Sequence, residues 1–122
     1  MARVGLLDEA QASEAFREIF RSIRDRGGNI LNLFKAMSNS PQVGLQFLHL
    51  GNAILFKGIV PPALRELAIL RVGHLNRAMY EWTQHVPIAL RVGVRQAQID
   101  ALPDWENSSE FNGEERAVLR YT

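Results

Sequence analysis

The sequence predicts an all-α fold in a single domain spanning residues 1–122. Apolar residues recur at spacings of three and four along most of the chain, the period of a helix face. No stretch alternates apolar and polar residues as a half-buried strand would, and there is no hairpin turn or Gly-rich phosphate loop. Breaks at Gly27-Gly28, Pro41, Gly58 and Pro61-Pro62 divide the pattern into pieces of helix length.

The first helix follows Ser13, a residue suited to capping, and carries Phe16, Ile19, Phe20 and Ile23 on one face until Gly27-Gly28 ends it. A second, short pattern of Ile30, Leu31, Leu33, Phe34 and Met37 stops at Ser38-Asn39-Ser40. Pro41 suits the first turn of the next helix, because its missing N–H would be unpaired there in any case. That helix carries Val43, Leu45, Phe47, Leu48, Leu50, Ile54, Leu55 and Phe56 all round, which predicts burial on both faces, and Gly58 follows as its cap. Pro61-Pro62 opens a helix with Leu64, Leu67, Ala68 and Leu70 at core spacing, and Gly73 with Asn76 marks a bend. A further helix runs from Arg77 to Ala89 with a kink expected at Pro87. Arg95 to Leu102 forms a short helix stopped by Pro103. After the loop DWENSSEFNGEE a last helix starts near Asn112, with Glu114 and Glu115 in the first turn, where the helix dipole favours acids.

Composition narrows the function. Fourteen Lys and Arg against thirteen Asp and Glu leave almost no net charge, so nothing draws the chain to nucleic acid or to an anionic membrane surface. The absence of cysteine excludes disulfides, thiolate nucleophiles and Cys-ligated metal centres. The N-terminal stretch has acids by position 8 and no long apolar run, unlike a secretory signal, and no segment is apolar enough to span a bilayer. The expectation is a cytoplasmic protein with a natural start at Met1. Because the last amphipathic helix stops just after Tyr121, further helices are expected beyond it, or an oligomer that completes the core.

The chemistry concentrates between Leu64 and His85. Glu81 and His85 are four residues apart and share one helix face. A carboxylate beside an imidazole favours the protonated ring, which suits His85 to donate a proton. Trp82 places an apolar wall in the same region. Glu66 lies on the Leu-rich side of the preceding helix, where it needs a partner: His85, Tyr80, or an arginine such as Arg65, Arg71 or Arg77. A Glu66–Tyr80–His85 relay with Glu81 as second carboxylate is the expected arrangement. Arg71 and Arg77 are candidates for an acidic substrate, with Trp82 beside them. The competing readings are an exposed Glu81–His85 pair, a Trp82 that only packs, a capping or solvated His74, and a buried or interface His49. His74, Glu81 and His85 also present metal-ligand types, but without a second carboxylate-rich motif no metal is expected.

The strings RGGNILNLFKAMSNSPQVGLQFLHLGNAI and RELAILRVGHLNRAMYEWTQHVPIALRVGV resemble the carboxymuconolactone decarboxylase and alkylhydroperoxidase D-like family, from about Arg26 to Leu102. The resemblance implies an alkylhydroperoxidase D-like helical bundle that assembles as a homotrimer or homohexamer. In the peroxidase branch a Glu feeds protons to a C-x-x-C pair followed by a His. On this chain that Glu is Glu66 and that His is His85, the two thiol positions fall on Ala78 and Glu81, and the intervening His falls on Tyr80. Thiol peroxidation needs both an attacking and a resolving thiol, and neither is here.

What the resemblance implies is therefore the chemistry of the decarboxylase branch: cofactor-free acid–base decarboxylation or isomerisation of a small carboxylated lactone or related acid. His85 would be the proton donor, Glu66 and Tyr80 would orient it, and Glu81 would tune it. The alternatives are a peroxidase-family activity by a non-thiol route and a non-catalytic oligomeric module.

Overall fold

A computed structural model describes residues 3–122, so the expected start at Met1 lies outside the described residues. Every regular element described is helical. The chain divides into two compact units, one ending at Gly58 and one covering Ile59–Thr122.

The first unit holds α1 (Glu14–Asp25), α2 (Asn32–Met37) and α3 (Pro41–Lys57). Phe16 and Phe20, one helical turn apart, are fully buried and meet edge to face at 6.0 Å. Around them pack Ile19, Phe34, Met37, Leu45 and Leu48. The close approach depends on Gly44: a Cβ there would lie 2.7 Å from the Met37 carbonyl oxygen and 2.8 Å from Phe16 Cζ. Gly27, at φ 74°, turns the chain after α1 in the left-handed region that side chains resist. Ser13 stands at the start of α1 as expected, but its hydroxyl makes no capping bond.

The expectation that α3 is buried on both faces does not hold. Gly44 is its one buried residue, and Val43, Phe47, Leu50 and Ile54 are each more than half exposed. A unit of three helices has too few elements to cover both sides of a 17-residue helix. His49, on the same helix, is exposed rather than buried.

The second unit holds α4 (Pro62–Leu75), α5 (Met79–Arg91), α6 (Gln96–Ala101) with a 3-10 turn over Leu102–Asp104, and α7 (Gly113–Tyr121). Helix α4 is central, and its Leu64, Leu67 and Leu70 join Ala89, Leu102, Trp105, Phe111 and Leu119 in one core. The bend expected from Gly73 with Asn76 falls at the Asn76 end. The helix runs on to Leu75, and the turn comes at Arg77, which adopts φ 53° so that the Ala78 N–H can reach the Gly73 carbonyl at 2.8 Å. The following helix therefore starts at Met79, two residues later than expected, and it continues through Pro87 to Arg91.

The loop before α7 is tied down by side chains. Buried Gln98 donates to the Glu110 carbonyl and to Glu115, and Arg116 donates to the carbonyls of Phe111, Glu106 and Ser108. Asn112 and Glu115 cap α7 reciprocally: the Asn112 side chain accepts from the Glu115 N–H at 2.9 Å, and the Glu115 carboxylate accepts from the Asn112 N–H at 2.8 Å. No helix among the described residues is long and apolar enough to cross a membrane.

Candidate functional site

Helices α4 and α5 pack side by side and bring Glu66 to His85 across 19 positions of sequence. Glu66 lies one turn before Leu70 and two turns before Gly73 on the buried side of α4, and its side chain is wholly shielded from solvent. Burial of a lone carboxylate is costly, so a partner is required. That partner is His85, whose Nδ1 lies 2.7 Å from Glu66 Oε2. A carboxylate only accepts, so Nδ1 carries the proton and donates it. The second oxygen, Oε1, makes no hydrogen bond, and Arg65 Nε stands 3.7 Å from it. With Nδ1 held, Nε2 is the nitrogen left for chemistry. It faces Glu81 Oε2 at 3.7 Å, one turn back on α5.

His85 therefore stands between two carboxylates that differ in environment. Glu66 is buried, whereas the Glu81 side chain is 46% exposed. Glu81 also lines a cleft of about 480 Å³ between α4 and α5, within the usual range for small-molecule sites. Its walls are Ala68, Ile69 and Val72 on α4, with Ala78 where α5 begins. No cation lines it. The Asn76 amide at its edge donates to the Val72 carbonyl at 2.9 Å.

The remaining expected site residues fall elsewhere. Tyr80 makes no hydrogen bond to Glu66 or His85 and lies 40% exposed. It stands five positions before His85, which on a helix turns it about 140° away. The expected Glu66–Tyr80–His85 relay is thus replaced by a direct Glu66–His85 bond. Arg77 is exposed on the turn, and Arg71 has a buried Nε without a hydrogen-bond partner; neither lines the cleft. Trp82 packs against the core of this unit and sits tilted against His74, with ring centres 6.3 Å apart. It lines a separate hollow of about 150 Å³ instead. Among the described residues no group of three His, Asp or Glu side chains is placed to hold a metal.

The sequence reading missed the apolar walls Ile69 and Val72. Their signal was present, since they lie three apart on α4 and off its Leu64–Leu67–Leu70 face. The two positions where the resemblance puts thiols, Ala78 and Glu81, both line the cleft.

The model of the carboxymuconolactone decarboxylase family matches residues 41–122, so the likeness reaches further toward the C-terminus than Leu102 and begins later than Arg26. No curated protein matches the chain, and no solved structure does.

Proposed function

The chain belongs to the carboxymuconolactone decarboxylase family, and from that membership and the Glu66–His85–Glu81 arrangement we propose a cofactor-free acid–base enzyme that decarboxylates a small carboxylated lactone or related acid. The observation that carries the reading is the position of His85, bonded to a buried carboxylate on one nitrogen and facing a cleft-lining carboxylate with the other.

In this reading the bond between the substrate carboxylate and its carbon breaks, its electron pair passes into a dienolate conjugated with the lactone carbonyl, and CO2 leaves. One proton must then return to carbon. The donor is His85 in its doubly protonated form. Nδ1–H stays on Glu66 while Nε2 passes its proton to the Glu81 carboxylate, the member of the trio that lines the cleft. The Glu81 carboxyl gives a proton to carbon, and solvent then reprotonates Nε2; a rotation of the half-exposed Glu81 side chain closes the 3.7 Å gap. Glu66 fixes the ring and its tautomer. Apolar walls without a cation disfavour the charged carboxylate relative to neutral CO2, which suits loss of CO2. A peroxidase reading has less support, because Ala78 and Glu81 stand where thiols would be needed.

The test is to mix the full chain with γ-carboxymuconolactone and follow loss of its absorbance, with one solvent deuteron expected in the product. Absence of turnover by wild-type protein sinks the named substrate. Undiminished turnover by His85→Ala sinks the mechanism.

Self-association is part of the same proposal. Val43, Phe47, Leu50 and Ile54 follow spacings of four, three and four along α3, the pattern of a helix-pairing seam, and all are exposed. No charged residue occurs on α3 before Lys57, so the stripe is complementary to itself. A second copy of the chain is its occupant in this reading.

A further inference from the structure

The first unit contains a hollow of about 320 Å³ that has no part in the α4–α5 chemistry. It is formed by two helix faces with the same spacing. Ile19, Ser22, Ile23 and Arg26 lie at steps of three, four and seven along and just past α1, and Leu45, Leu48, His49 and Asn52 repeat those steps on α3. Phe34 of α2 closes one side.

Each helix begins the lining with an apolar residue and ends it with a polar one, with Ser22 and Ile23 of α1 between Ile19 and Arg26. Ile19 on α1 and Leu45 and Leu48 on α3 come first and are apolar, and they pack with Phe34 around the Phe16–Phe20 core. Arg26 on one side and His49 and Asn52 on the other come last and are polar. The wall holds one permanent cation and no carboxylate. The side chains of Ser22, Arg26, His49 and Asn52 form no hydrogen bond or ion pair with the other described residues. A wall that combines one cation and unpaired polar side chains with apolar Ile19, Phe34, Leu45 and Leu48 is the complement of an amphiphilic anion. Guanidinium matches a carboxylate in shape as well as charge, since two parallel N–H groups meet two oxygens. The volume lies at the small end of ligand sites, which fits a short apolar tail rather than a long lipid chain.

We propose that this hollow binds a monocarboxylate with a short apolar tail, its carboxylate on Arg26 and His49 and its tail against Phe34, Leu45 and Leu48. The site is independent of the proposed decarboxylation.

The test titrates octanoate, octan-1-ol and octylammonium separately into the full chain and follows backbone amide signals by NMR. Octanoate is expected to saturate and to shift signals across residues 19–26 and 45–52. A charge-assisted carboxylate contact should make it bind about tenfold tighter than the alcohol. Arg26 is exposed, so Arg26→Gln leaves the fold intact and should bring octanoate close to the alcohol. Equal binding of octylammonium, octanoate affinity unchanged in Arg26→Gln, shifts confined to other helices, or no saturation would each overturn the proposal.

Discussion

His85 Nδ1 meets Glu66 Oε2 at 2.7 Å, and the carboxylate it meets is completely buried. That bond joins α4 to α5 and settles which imidazole nitrogen is free. In the proposed reaction structure and chemistry depend on the same contact: the group that satisfies a buried charge is also the one assigned to move the proton.

Removal of one partner should therefore damage stability more than removal of both. His85→Ala leaves the Glu66 carboxylate buried with only Arg65 nearby, at 3.7 Å. A loss of about 3 kcal/mol is expected, the lower end for breaking a buried pair. Replacing both, as Glu66→Leu with His85→Leu, should recover most of that loss. Urea unfolding of Glu66→Leu, His85→Leu and the double variant gives the coupling directly. Additive losses would show that the pair is not a unit.

Glu81 should matter for rate and little for stability, because it is half exposed and its contact with His85 is long. In Glu81→Gln the proton path to the cleft is cut, and kcat should fall about 100-fold, the lower range for loss of an acid–base group. KM should stay level or drop, since a negative charge leaves the wall that meets an anionic substrate. Glu81→Asp keeps the carboxyl and should retain part of the rate. Steady-state kinetics on the three proteins separates these outcomes, and a raised KM with unchanged kcat would contradict the assigned role.

The exposed stripe on α3 gives a prediction about assembly. Phe47 is 55% exposed at the centre of the Val43–Ile54 seam. Phe47→Glu places like charges opposite each other in any self-complementary pairing, while costing little within one chain. Light scattering should show wild-type protein as an oligomer and the variant as a smaller species. A wild-type monomer would end this part of the proposal.

Much of this was legible in the sequence, and the failures have physical reasons. Helix α7 could be read from Asn112 and from Glu114 and Glu115 because the preference of a helix's first turn for acids is a local signal. The Glu66–His85 contact could be anticipated because a carboxylate among leucines demands a partner. Tyr80 was misplaced because closeness in sequence was allowed to stand for closeness on a helix. The burial of α3 was misjudged because an apolar residue states a preference, whereas the number of neighbours available is a tertiary fact. Gln98 and Arg116 went unnoticed because their bonds are to carbonyls of a loop, and carbonyl positions leave no trace in residue type. The break after α4 was legible in Gly73 and Asn76, but the next helix was started two residues early because an arginine occupies the left-handed position where glycine would have announced the turn.

That turn predicts a stabilising substitution. Arg77 is exposed and holds φ 53°, a conformation that costs a non-glycine residue about 1 kcal/mol. It forms no ion pair among the described residues. Arg77→Gly removes the strain at a position already fixed by the Ala78–Gly73 bond, so midpoint denaturation should shift upward by the equivalent of about 1 kcal/mol, less what the freer unfolded chain takes back. A lower midpoint would mean that the Arg77 side chain makes contacts of its own.

The contact between Glu9 and Arg24 predicts how stability responds to acid. Arg24 donates to the Glu9 carboxylate and holds Glu9 below the ordinary glutamate value, against the opposing effect of desolvation and with help from the charges of Arg24, Arg21 and Arg17. A carboxyl that is more acidic when folded than when unfolded adds stability that is present above its unfolded value and disappears as pH falls through its folded value. The unfolded state binds the proton first, so stability must drop with pH in that window. Arg24 is shifted upward by the same contact and stays charged throughout it. Both groups are exposed, so the effect is small and weakens with salt. Glu9→Gln should therefore lie slightly below wild type at neutral pH and converge with it in acid, with the gap at neutral pH narrowing in high salt. Thermal midpoints of the two proteins between neutral pH and pH 3 measure this, and a gap that stays constant or widens toward acid would show that the contact contributes nothing through its charge.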